Sequence, residues 1–418
     1  MKTLVLHPDI PSRDTRRDPE AALAEAVSLA SALEDLEIVD SRVVRLPKAQ
    51  AGLLFGSGKV EELAGFITSA EIGLVLVDGP VSPIQQRNLE KRWNVKLLDR
   101  TGLILEIFGE RARTREGVLQ VDLAALSYQK SRLVRSWTHL ERQRGGLSFV
   151  GGAGETQIEA DRRMIDEAII RLKRQLAKVK KTRGLHRAGR KKVPYPIVAL
   201  VGYTNAGKST LFNRITGADV MAEDMLFATL DPTMRGITLP SGREAILSDT
   251  VGFISDLPTQ LVAAFRATLE EVLDANLILH VRDISHAETT EQAADVADIL
   301  ADLGVGQMAQ DAMLEVWNKI DACAPDRAET LRTAAARNPN VMAVSAVTGE
   351  GVTALMEAID AALLDPQRTE TLQLGFAEGK KRAWLFNENV VDQEEAVEDG
   401  YRLTVTWTEK QASQFQKL

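Results

Sequence analysis

The fold is decided by the stretch Leu200-Val201-Gly202-Tyr203-Thr204-Asn205-Ala206-Gly207-Lys208-Ser209-Thr210. From Gly202 to Ser209 it fills the pattern G-x-x-x-x-G-K-[ST], which is typical of a phosphate-binding loop. The apolar run 196–201 before the loop predicts a buried strand, and a helical pattern begins behind it at Leu211. In that context, loop amides and a helix N-terminus bind phosphate groups. We therefore expect residues 202–210 to bind a nucleotide, since a chance glycine turn would not fill every fixed position.

Two motifs predict the chemistry at the phosphates. Lys208 is expected to reach the β- and γ-phosphates, and the Ser209 hydroxyl to bind Mg²⁺. The tetrapeptide Asp249-Thr250-Val251-Gly252 follows a strand-like run and forms a D-x-x-G pattern. It predicts a carboxylate near the metal ion and a glycine amide at the γ-phosphate. All of these residues are candidates for the nucleotide site.

Two later segments select the base. Asn318-Lys319-Ile320-Asp321 ends an apolar run and forms an N-K-x-D pattern. The Asp321 carboxylate can accept hydrogen bonds from N1–H and the 2-amino group of guanine, whereas adenine offers neither donor and would leave the carboxylate without a partner. Ser345 and Ala346 follow the next strand-like run and are expected to offer a backbone amide to the guanine carbonyl. The order of these motifs predicts a GTPase domain over residues 194–364, with Asn318, Lys319, Asp321, Ser345 and Ala346 at the base.

A switch segment is expected between the phosphate loop and the D-x-x-G pattern, at Phe227-Ala228-Thr229-Leu230-Asp231. The Thr229 hydroxyl would join Mg²⁺ only when the γ-phosphate is present, so the predicted metal ligands are Ser209, Thr229 and Asp249. Thr233 is the alternative to Thr229, and a plain turn at Asp231-Pro232 is another. The predicted catalytic residues are Lys208, Thr229 and Gly252.

No side chain is in place to orient the attacking water. Phe253 follows Gly252 where Ras-like enzymes have a glutamine, and a phenyl ring cannot hydrogen-bond water. Asn205 resembles the asparagine in the Gly-x-Pro-Asn-x-Gly-Lys-Ser loop of potassium-stimulated GTPases, which implies a K⁺ ion that neutralises developing charge. The alternative is that Asn205 only adopts the backbone geometry of the loop. Slow intrinsic turnover that a partner accelerates fits both interpretations.

Composition places the chain among ordinary soluble proteins. Its 418 residues are 44% hydrophobic and 26% charged, which predicts two to four domains. The only cysteine, Cys323, excludes an intramolecular disulfide and fits a reducing compartment. Signal-peptide and membrane-spanning runs are lacking. We expect a cytoplasmic monomer without stable membrane insertion.

Charge is unevenly distributed along the chain. The net charge is −8, yet residues 128–192 contain 18 Lys and Arg against 6 Asp and Glu. A segregated basic segment indicates contact with a polyanion, although a solvated helix with basic faces has the same composition.

The basic segment has the pattern of a helical hairpin. Leucines recur every seven residues from Leu119 to Leu140, and a second apolar stripe runs from Ile158 to Val179. The glycine-rich loop between them, about residues 141–156, suits contact with RNA backbone and unstacked bases, and a disordered linker is the alternative. The candidate RNA-binding residues are Arg142, Arg144, Phe149, Lys180 and Lys181.

The sequence therefore predicts an α/β protein with four domains. Residues 1–112 alternate strands and helices like a small parallel α/β domain. Within them, Phe55-Gly56-Ser57-Gly58-Lys59 fails the spacing of a phosphate loop and is interpreted as a glycine turn that opens a helix. The hairpin and linker occupy 113–193, the P-loop GTPase domain 194–364, and a small α+β domain 365–418. In the last domain we expect strands at 371–376, 382–386 and 401–407, an acidic separator at 392–399, and a helix at 409–418.

Beyond the nucleotide motifs, the sequence resembles the HflX GTPases over nearly its whole length. The resemblance is carried by Phe55-Gly56-Ser57-Gly58-Lys59, Gln86-Arg87-Asn88-Leu89-Glu90, Asp99-Arg100-Thr101-Gly102, Gly154-Glu155-Thr156-Gln157 and Leu226-Phe227-Ala228-Thr229-Leu230-Asp231-Pro232-Thr233. It implies an enzyme that hydrolyses GTP to GDP and phosphate, binds the large ribosomal subunit and splits ribosomes, notably under stress. It also implies a hairpin loop directed toward the rRNA of the peptidyl-transferase centre.

Two other functions remain open. One is a GTP-dependent switch that acts on a protein partner, with the hairpin as a coiled-coil contact. The other is ATP-dependent RNA remodelling through the N-terminal domain, which the irregular spacing around Lys59 disfavours. Comigration with large subunits in the presence of a non-hydrolysable GTP analogue separates the first interpretation from both alternatives.

Overall fold

A computed structural model describes most of the chain. The described residues are 1–11, 17–143, 157–190, 195–218, 227, 233–255, 272–364, 367–388, 390–397, 399–408, 411–412 and 415–416; side chains are not described for 134–143, 157–158, 180–190, 308, 367–368 and 408. The chain divides into two compact units. The first comprises Met1–Thr238 and Gly242–Leu355, and the second comprises Leu239–Ser241 and Met356–Leu418.

The first unit begins with a four-stranded parallel sheet in the order β2-β1-β3-β4. Its elements are β1 (Lys2–Asp9), α1 (Pro19–Ala30), β2 (Glu37–Arg45), α2 (Ser57–Ser69), β3 (Leu74–Val77), α3 (Pro83–Trp93), β4 (Lys96–Asp99) and α4 (Arg100–Arg111). Local signals start these helices, as α2, α3 and α4 illustrate. Ser82 and Gln85 form a capping box at α3, the Asp99 carboxylate caps α4, and Gly56 precedes the first turn of α2, as predicted for the glycine turn.

Two long helices follow. They are α5 (Arg115–Gln143) and α6 (Gln157–Arg190), and they pack along each other as the heptad spacing predicts. Leu119 of α5 and Ile169 of α6 are buried, whereas Lys130 and Asp166 form an ion pair between the two helices.

A six-stranded sheet with the order β10-β9-β8-β5-β7-β6 forms the rest of the first unit. Its strands are β5 (Ile197–Val201), β6 (Thr233–Thr238), β7 (Glu244–Asp249), β8 (Leu277–Asp283), β9 (Leu314–Asn318) and β10 (Val341–Ala343). Its helices are α7 (Lys208–Thr216), α8 (Thr289–Leu303), α9 (Gln307–Asp311), a 3₁₀ turn (Ile320–Ala322) and α10 (Pro325–Ala336). The next helix along the chain, α11 (Val352–Ala362), begins in the first unit and belongs to the second from Met356 onward. Only β6 is antiparallel to its neighbour, so the carboxyl ends of β5, β7, β8, β9 and β10 meet at one edge. Ligands of open α/β sheets bind at that edge.

The N-terminal sheet and the GTPase sheet share one hydrophobic core. A single cluster of buried side chains includes Leu103 and Phe108 of α4 together with Phe253 and Val296 from the GTPase side. Phe227 packs edge-on against Phe108, with ring centroids 4.6 Å apart. The two sheets therefore pack as parts of one compact unit.

The second unit contains a three-stranded antiparallel sheet in the order β11-β13-β12. Its elements are β11 (Gln367–Gly375), α12 (Gly379–Asn387), β12 (Val391–Val397) and β13 (Gly400–Thr408). Two of our expectations are wrong here. Residues 382–386 lie inside α12 and not in a strand, and residues 392–397 of the acidic stretch belong to strand β12 instead of separating two strands. Alternation over five residues does not distinguish a helix from a strand, and an exposed edge strand tolerates acidic side chains.

The α/β fold class is confirmed, with a parallel N-terminal sheet, a P-loop GTPase domain and a smaller C-terminal domain. The four domain boundaries, and the helix expected at 409–418, remain predictions. No described helix is both long enough and apolar enough to cross a membrane.

Candidate nucleotide site and its contact with the N-terminal domain

The phosphate loop, residues 202–210, connects the end of β5 to the start of α7. Two of its glycines are required by close approach. A Cβ on Gly202 would lie 2.1 Å from the Val281 carbonyl oxygen, and one on Gly207 would lie 2.2 Å from Nδ2 of Asn318. Both glycines have positive φ, at +154° and +86°. The loop thus wraps tightly over the ends of β8 and β9.

Lys208 is buried at the first position of α7. Its ammonium donates to the carbonyl oxygens of Gly202, at 3.1 Å, and Tyr203, at 2.8 Å. Burial lowers the pKa of Lys208 to about 8, and the nearby Asp249 carboxylate only partly opposes this shift. A phosphate at this position would restore the stability of the cation.

The predicted Mg²⁺ ligands Ser209 and Asp249 lie together. The Ser209 hydroxyl donates to Oδ2 of Asp249 at 2.7 Å, and Asp249 is fully buried at the end of β7. A hydroxyl beside a carboxylate supplies hard oxygen ligands of the kind that Mg²⁺ accepts alongside phosphate and water, so this pair fits the ion. Thr229, the third predicted ligand, lies outside the described residues.

The D-x-x-G segment is paired to the phosphate loop through its backbone. The Phe253 amide donates to the Gly202 carbonyl at 3.1 Å, and the Thr204 amide donates to the Phe253 carbonyl at 2.7 Å. The Thr250 hydroxyl donates to the Leu200 carbonyl at 2.6 Å. Gly252 is therefore held directly against the loop, while the Phe253 side chain is buried in the shared core.

The two base-selecting segments also meet. Asn318, at the end of β9, donates from Nδ2 to the Ala206 carbonyl at 2.8 Å and accepts at Oδ1 from the Ala346 amide at 3.0 Å. This amide group connects the phosphate loop with the loop that carries Ser345 and Ala346. Lys319 has φ +63° and pairs with Asp283 at 2.9 Å, and Asp321 is exposed in the following 3₁₀ turn.

The remaining sequence-predicted residues are only partly described. Phe227 is buried against Phe108, and Ala228, Leu230 and Asp231 lie outside the described residues. Asn205 is exposed and has φ +59°, a left-handed conformation that asparagine tolerates well. Among the RNA candidates, Arg142, Lys180 and Lys181 belong to α5 and α6 without described side chains, and Arg144 and Phe149 lie outside the described residues.

One group of residues was missed by the sequence interpretation. Beneath the phosphate loop, the Tyr203 hydroxyl lies 2.5 Å from the Glu25 carboxylate of α1 and also accepts from the Ser255 amide at 2.8 Å. The Ser255 hydroxyl donates to Glu25 at 3.1 Å. One carboxylate of the N-terminal domain therefore contacts Tyr203 of the phosphate loop and Ser255, three positions after the end of the D-x-x-G segment.

Glu25 belongs to a buried charge cluster that consists of Arg17, Glu25, Asp78, Arg100 and Glu288. Arg100 donates to Glu25, to Asp78 at 2.6 Å and to the Ser255 carbonyl at 3.1 Å. Arg17 pairs with Glu25, at 2.9 Å, and with Glu288, at 2.8 Å, which lies directly before α8 of the GTPase domain. Burial alone would raise the pKa of Glu25, but Arg100 and Arg17 hold that pKa below its ordinary value. The Glu25 carboxylate therefore stays ionised where the N-terminal domain contacts the GTPase domain.

Sequence comparisons identify the family models that match the chain. Four family models match consecutive parts of the chain: "GTP-binding GTPase N-terminal" at 20–109, "GTP-binding GTPase Middle Region" at 111–190, "50S ribosome-binding GTPase" at 197–319 and "HflX C-terminal domain" at 330–418.

Three relatives show how far the similarity extends. A GTPase HflX of Magnetococcus marinus is 54% identical over 82% of this chain and 78% of its own length. A GTPase HflX of Escherichia coli is 43% identical over 90% of this chain and 86% of its own. A putative GTP-binding protein 6 of Xenopus laevis is 34% identical over 100% of this chain and 79% of its own.

Proposed function

Because the chain belongs to the HflX family of GTPases, we propose that it uses GTP to bind the large ribosomal subunit and to dissociate ribosomes. The observation that carries this proposal is the combination of a GTPase site with the basic hairpin on one compact unit. The match of residues 197–319 to the 50S ribosome-binding GTPase model supports the ribosome as the partner. The resemblance to the family points further, to stalled ribosomes under stress and to rRNA near the peptidyl-transferase centre.

GTP hydrolysis at this site rests on positioning and charge neutralisation. Lys208 would neutralise charge on the β- and γ-phosphates, and the Gly252 amide would bind the γ-phosphate. Ser209 and Asp249, with Thr229 as the proposed third ligand, would hold Mg²⁺, which supplies charge neutralisation between the β- and γ-phosphates. Asp321 and the Ala346 amide would select guanine.

The hairpin offers a surface suited to RNA. Within the part of α6 whose side chains are described, six basic residues are exposed: Arg162, Arg163, Arg171, Lys173, Arg174 and Lys178. Such a surface attracts a polyanion by releasing counterions, and each phosphate contact adds roughly one unit to the salt slope. Arg142, Arg144, Phe149, Lys180 and Lys181 would extend this surface toward the loop.

Sedimentation through a sucrose gradient tests the proposal. With a non-hydrolysable GTP analogue, the protein should comigrate with large subunits and reduce the fraction of intact ribosomes. Replacing Arg171 and Arg174 by Gln should weaken binding and lower the salt slope by about two units. The matched control replaces Arg87 and Lys91, two exposed residues of α3, by Gln. GTP binding should be unchanged in both variants, because all four residues lie outside the nucleotide site.

The alternatives predict different outcomes. A switch that acts on a protein partner would not comigrate with subunits in either nucleotide state. An RNA remodeller driven by ATP would hydrolyse ATP after the Asp321→Asn replacement had abolished GTP binding. A hairpin that is only a solvated helix would leave both affinity and salt slope unchanged in the Arg171 and Arg174 variant.

A K⁺ ion at Asn205 is the proposed substitute for a catalytic side chain. Asn205 lies in the phosphate loop and is exposed, which supports this role. Its left-handed backbone conformation equally suits the simpler role of a turn former. GTPase rates in KCl and NaCl at equal ionic strength distinguish the two. Stimulation by K⁺ that disappears in Asn205→Ala, with GTP binding intact, would support the ion; equal rates in the two salts would exclude it. We also propose that the protein acts as a monomer in the cytoplasm.

A further inference from the structure

An arginine outside the recognised nucleotide motifs contacts the guanine end of the site. Arg214 is on α7, six residues after Lys208. Its Nε donates to the Ala346 carbonyl at 3.0 Å, and its Nη2 donates to the Val347 carbonyl. The proposed function places the 6-carbonyl of guanine beside Ala346, whose amide donates to Asn318 at 3.0 Å in this structure. Resting on that function, we infer from the two contacts that Arg214 is a positioning residue for guanine, because it holds the loop that carries Ala346.

The loop is held by hydrogen bonds within its own turn and by two side chains from outside it, Asn318 and Arg214. Internally, the Ser345 carbonyl accepts from the Gly349 amide at 2.8 Å, and the Ser345 hydroxyl accepts from the Thr348 amide at 3.0 Å. These bonds shape the turn but do not connect it to the phosphate side of the site. Arg214 supplies such a connection, since its planar guanidinium can donate to two successive carbonyls at once.

Arg214 is an exposed residue, and its guanidinium lies along the surface of the loop. A Cβ added to Gly349, which has φ +90°, would lie 3.7 Å from Cζ of Arg214, so the guanidinium also lies against the returning arm of the loop. By contrast, the Val347 side chain at the tip is 66% exposed. The tip therefore has little hydrophobic burial of its own, and polar contacts to its carbonyls matter more for its position.

Arg214 also links the two ends of the nucleotide. The N-terminus of α7 carries Lys208 and Ser209 for the phosphates, and the same helix carries Arg214 to the guanine loop. A helix of nine residues is a rigid spacer. Helix α7 thereby constrains the distance between the phosphate contacts and the Ala346 loop. Asn318 links the same two parts of the site, since it bonds both Ala206 and Ala346.

A site built to hydrogen-bond a particular group discriminates against analogues that lack it. The 6-carbonyl contact and the Asp321 contact can be probed separately with modified guanine nucleotides. In 6-thio-GDP the 6-oxygen is replaced by a larger and weaker acceptor, while N1–H and the 2-amino group are kept. In IDP the 6-oxygen is kept and the 2-amino group is missing. If Arg214 acts through the Ala346 loop, its removal should weaken discrimination against 6-thio-GDP and leave discrimination against IDP unchanged.

The experiment measures Kd for GDP, 6-thio-GDP and IDP with the full chain and its Arg214→Ala variant. We expect the affinity for GDP to fall about tenfold and the preference for GDP over 6-thio-GDP to fall by a similar factor. The preference for GDP over IDP should stay within twofold of wild type. The KM for GTP should rise in the same proportion while kcat is unchanged, because the guanidinium does not contact the phosphate side.

Two further variants control the interpretation. Arg214→Lys keeps the charge but has a single donor nitrogen in place of the guanidinium fork, and should recover part of the discrimination. Arg337→Ala removes an exposed arginine at the end of α10 and should leave all three affinities unchanged. An unchanged preference for GDP over 6-thio-GDP in Arg214→Ala would overturn the inference, and so would an equal loss of both preferences, which indicates a general disturbance of the site.

Discussion

The buried charge cluster predicts a large effect for replacing Arg100 by Met. The side chains of Arg100, Glu25 and Asp78 are only 8%, 9% and 6% exposed. Methionine fills a similar volume without charge, so the variant leaves two carboxylates in a buried site with one cation fewer. Its main cost is therefore electrostatic and not a cavity.

The remaining partners determine the magnitude. Removing one partner of a buried ion pair costs about 3–5 kcal/mol, because the other charge remains desolvated. In this cluster Glu25 keeps Arg17, at 2.9 Å, and Asp78 keeps His7, at 2.8 Å. We therefore expect the lower end of the range, about 3 kcal/mol, for opening the N-terminal sheet together with its contact to the GTPase domain.

Hydrogen exchange is the suitable assay, since a chain of two units does not have a single unfolding free energy. Amides of β1 and β3 should exchange roughly a hundredfold faster in Arg100→Met, which is the factor that about 3 kcal/mol implies. The Ser255 amide, which donates to the Tyr203 hydroxyl, should lose protection as well.

Two controls accompany this prediction. Arg92→Met breaks a surface pair with Glu61, whose members are 57% and 67% exposed, and should change exchange by less than about threefold. The double variant Arg100→Met and Asp78→Asn removes one uncompensated charge and should recover part of the lost protection. The reasoning is refuted if Arg100→Met exchanges within threefold of wild type.

The same cluster predicts a dependence on pH. Burial raises the pKa of Asp78, but His7 and Arg100 lower it further than burial raises it, and the pKa of Glu25 is lowered in the same way by Arg100 and Arg17. Groups with a lowered folded-state pKa stabilise the fold above their unfolded pKa values, about 4 for these residues, and lose this contribution as the pH falls below them. Acid should therefore open the domain contact of the wild type, and Arg100→Met should show a weaker acid dependence.

Three further predictions concern the nucleotide site. Burial brings the pKa of Lys208 to about 8, so above that pH free protein loses the cation that attracts the phosphates. The Kd for GDP should therefore rise by up to roughly tenfold per pH unit. A Kd that stays constant up to pH 9.5 would contradict this. Asp321→Asn should weaken GTP binding sharply and admit xanthosine nucleotides, since its amide presents a donor to the guanine donors; unchanged GTP affinity would refute the assignment of this motif. In Gly207→Ala, the new Cβ would meet Asn318 at 2.2 Å at a positive φ, so binding of GDP should fall more than a hundredfold while exchange in β1 stays as in wild type.

Much of the nucleotide site could be inferred before the fold was known. Each motif is a short segment whose residues act together at the end of a strand, so spacing alone carries the information. Asn318 and Ala346 are 28 residues apart, yet both follow predicted parallel strands, whose carboxyl ends meet at one edge. The hairpin was equally accessible, because a heptad repeat is a local property.

Prediction failed where the local pattern was short or where partners were distant. Residues 382–386 alternate too briefly to distinguish a strand from α12, and the packing of Leu385 into the C-terminal core decides in favour of the helix. Arg214 and the Ala346 loop are separated by 132 residues, and nothing in the sequence near either of them marks the other.

By itself, the sequence determined the long helices of the hairpin and the chemistry that the phosphate loop supports, since heptad spacing and phosphate contacts depend on neighbours a few positions apart. Only the tertiary structure decided that Glu25 lies beneath Tyr203, 178 residues away, and that Arg100 reaches Ser255 across 155 residues. The physical reason is that charges tolerate burial only when a partner is brought within hydrogen-bonding distance. The packing of the two sheets against one core supplies that partner. The residues next to each charge in the sequence do not identify it.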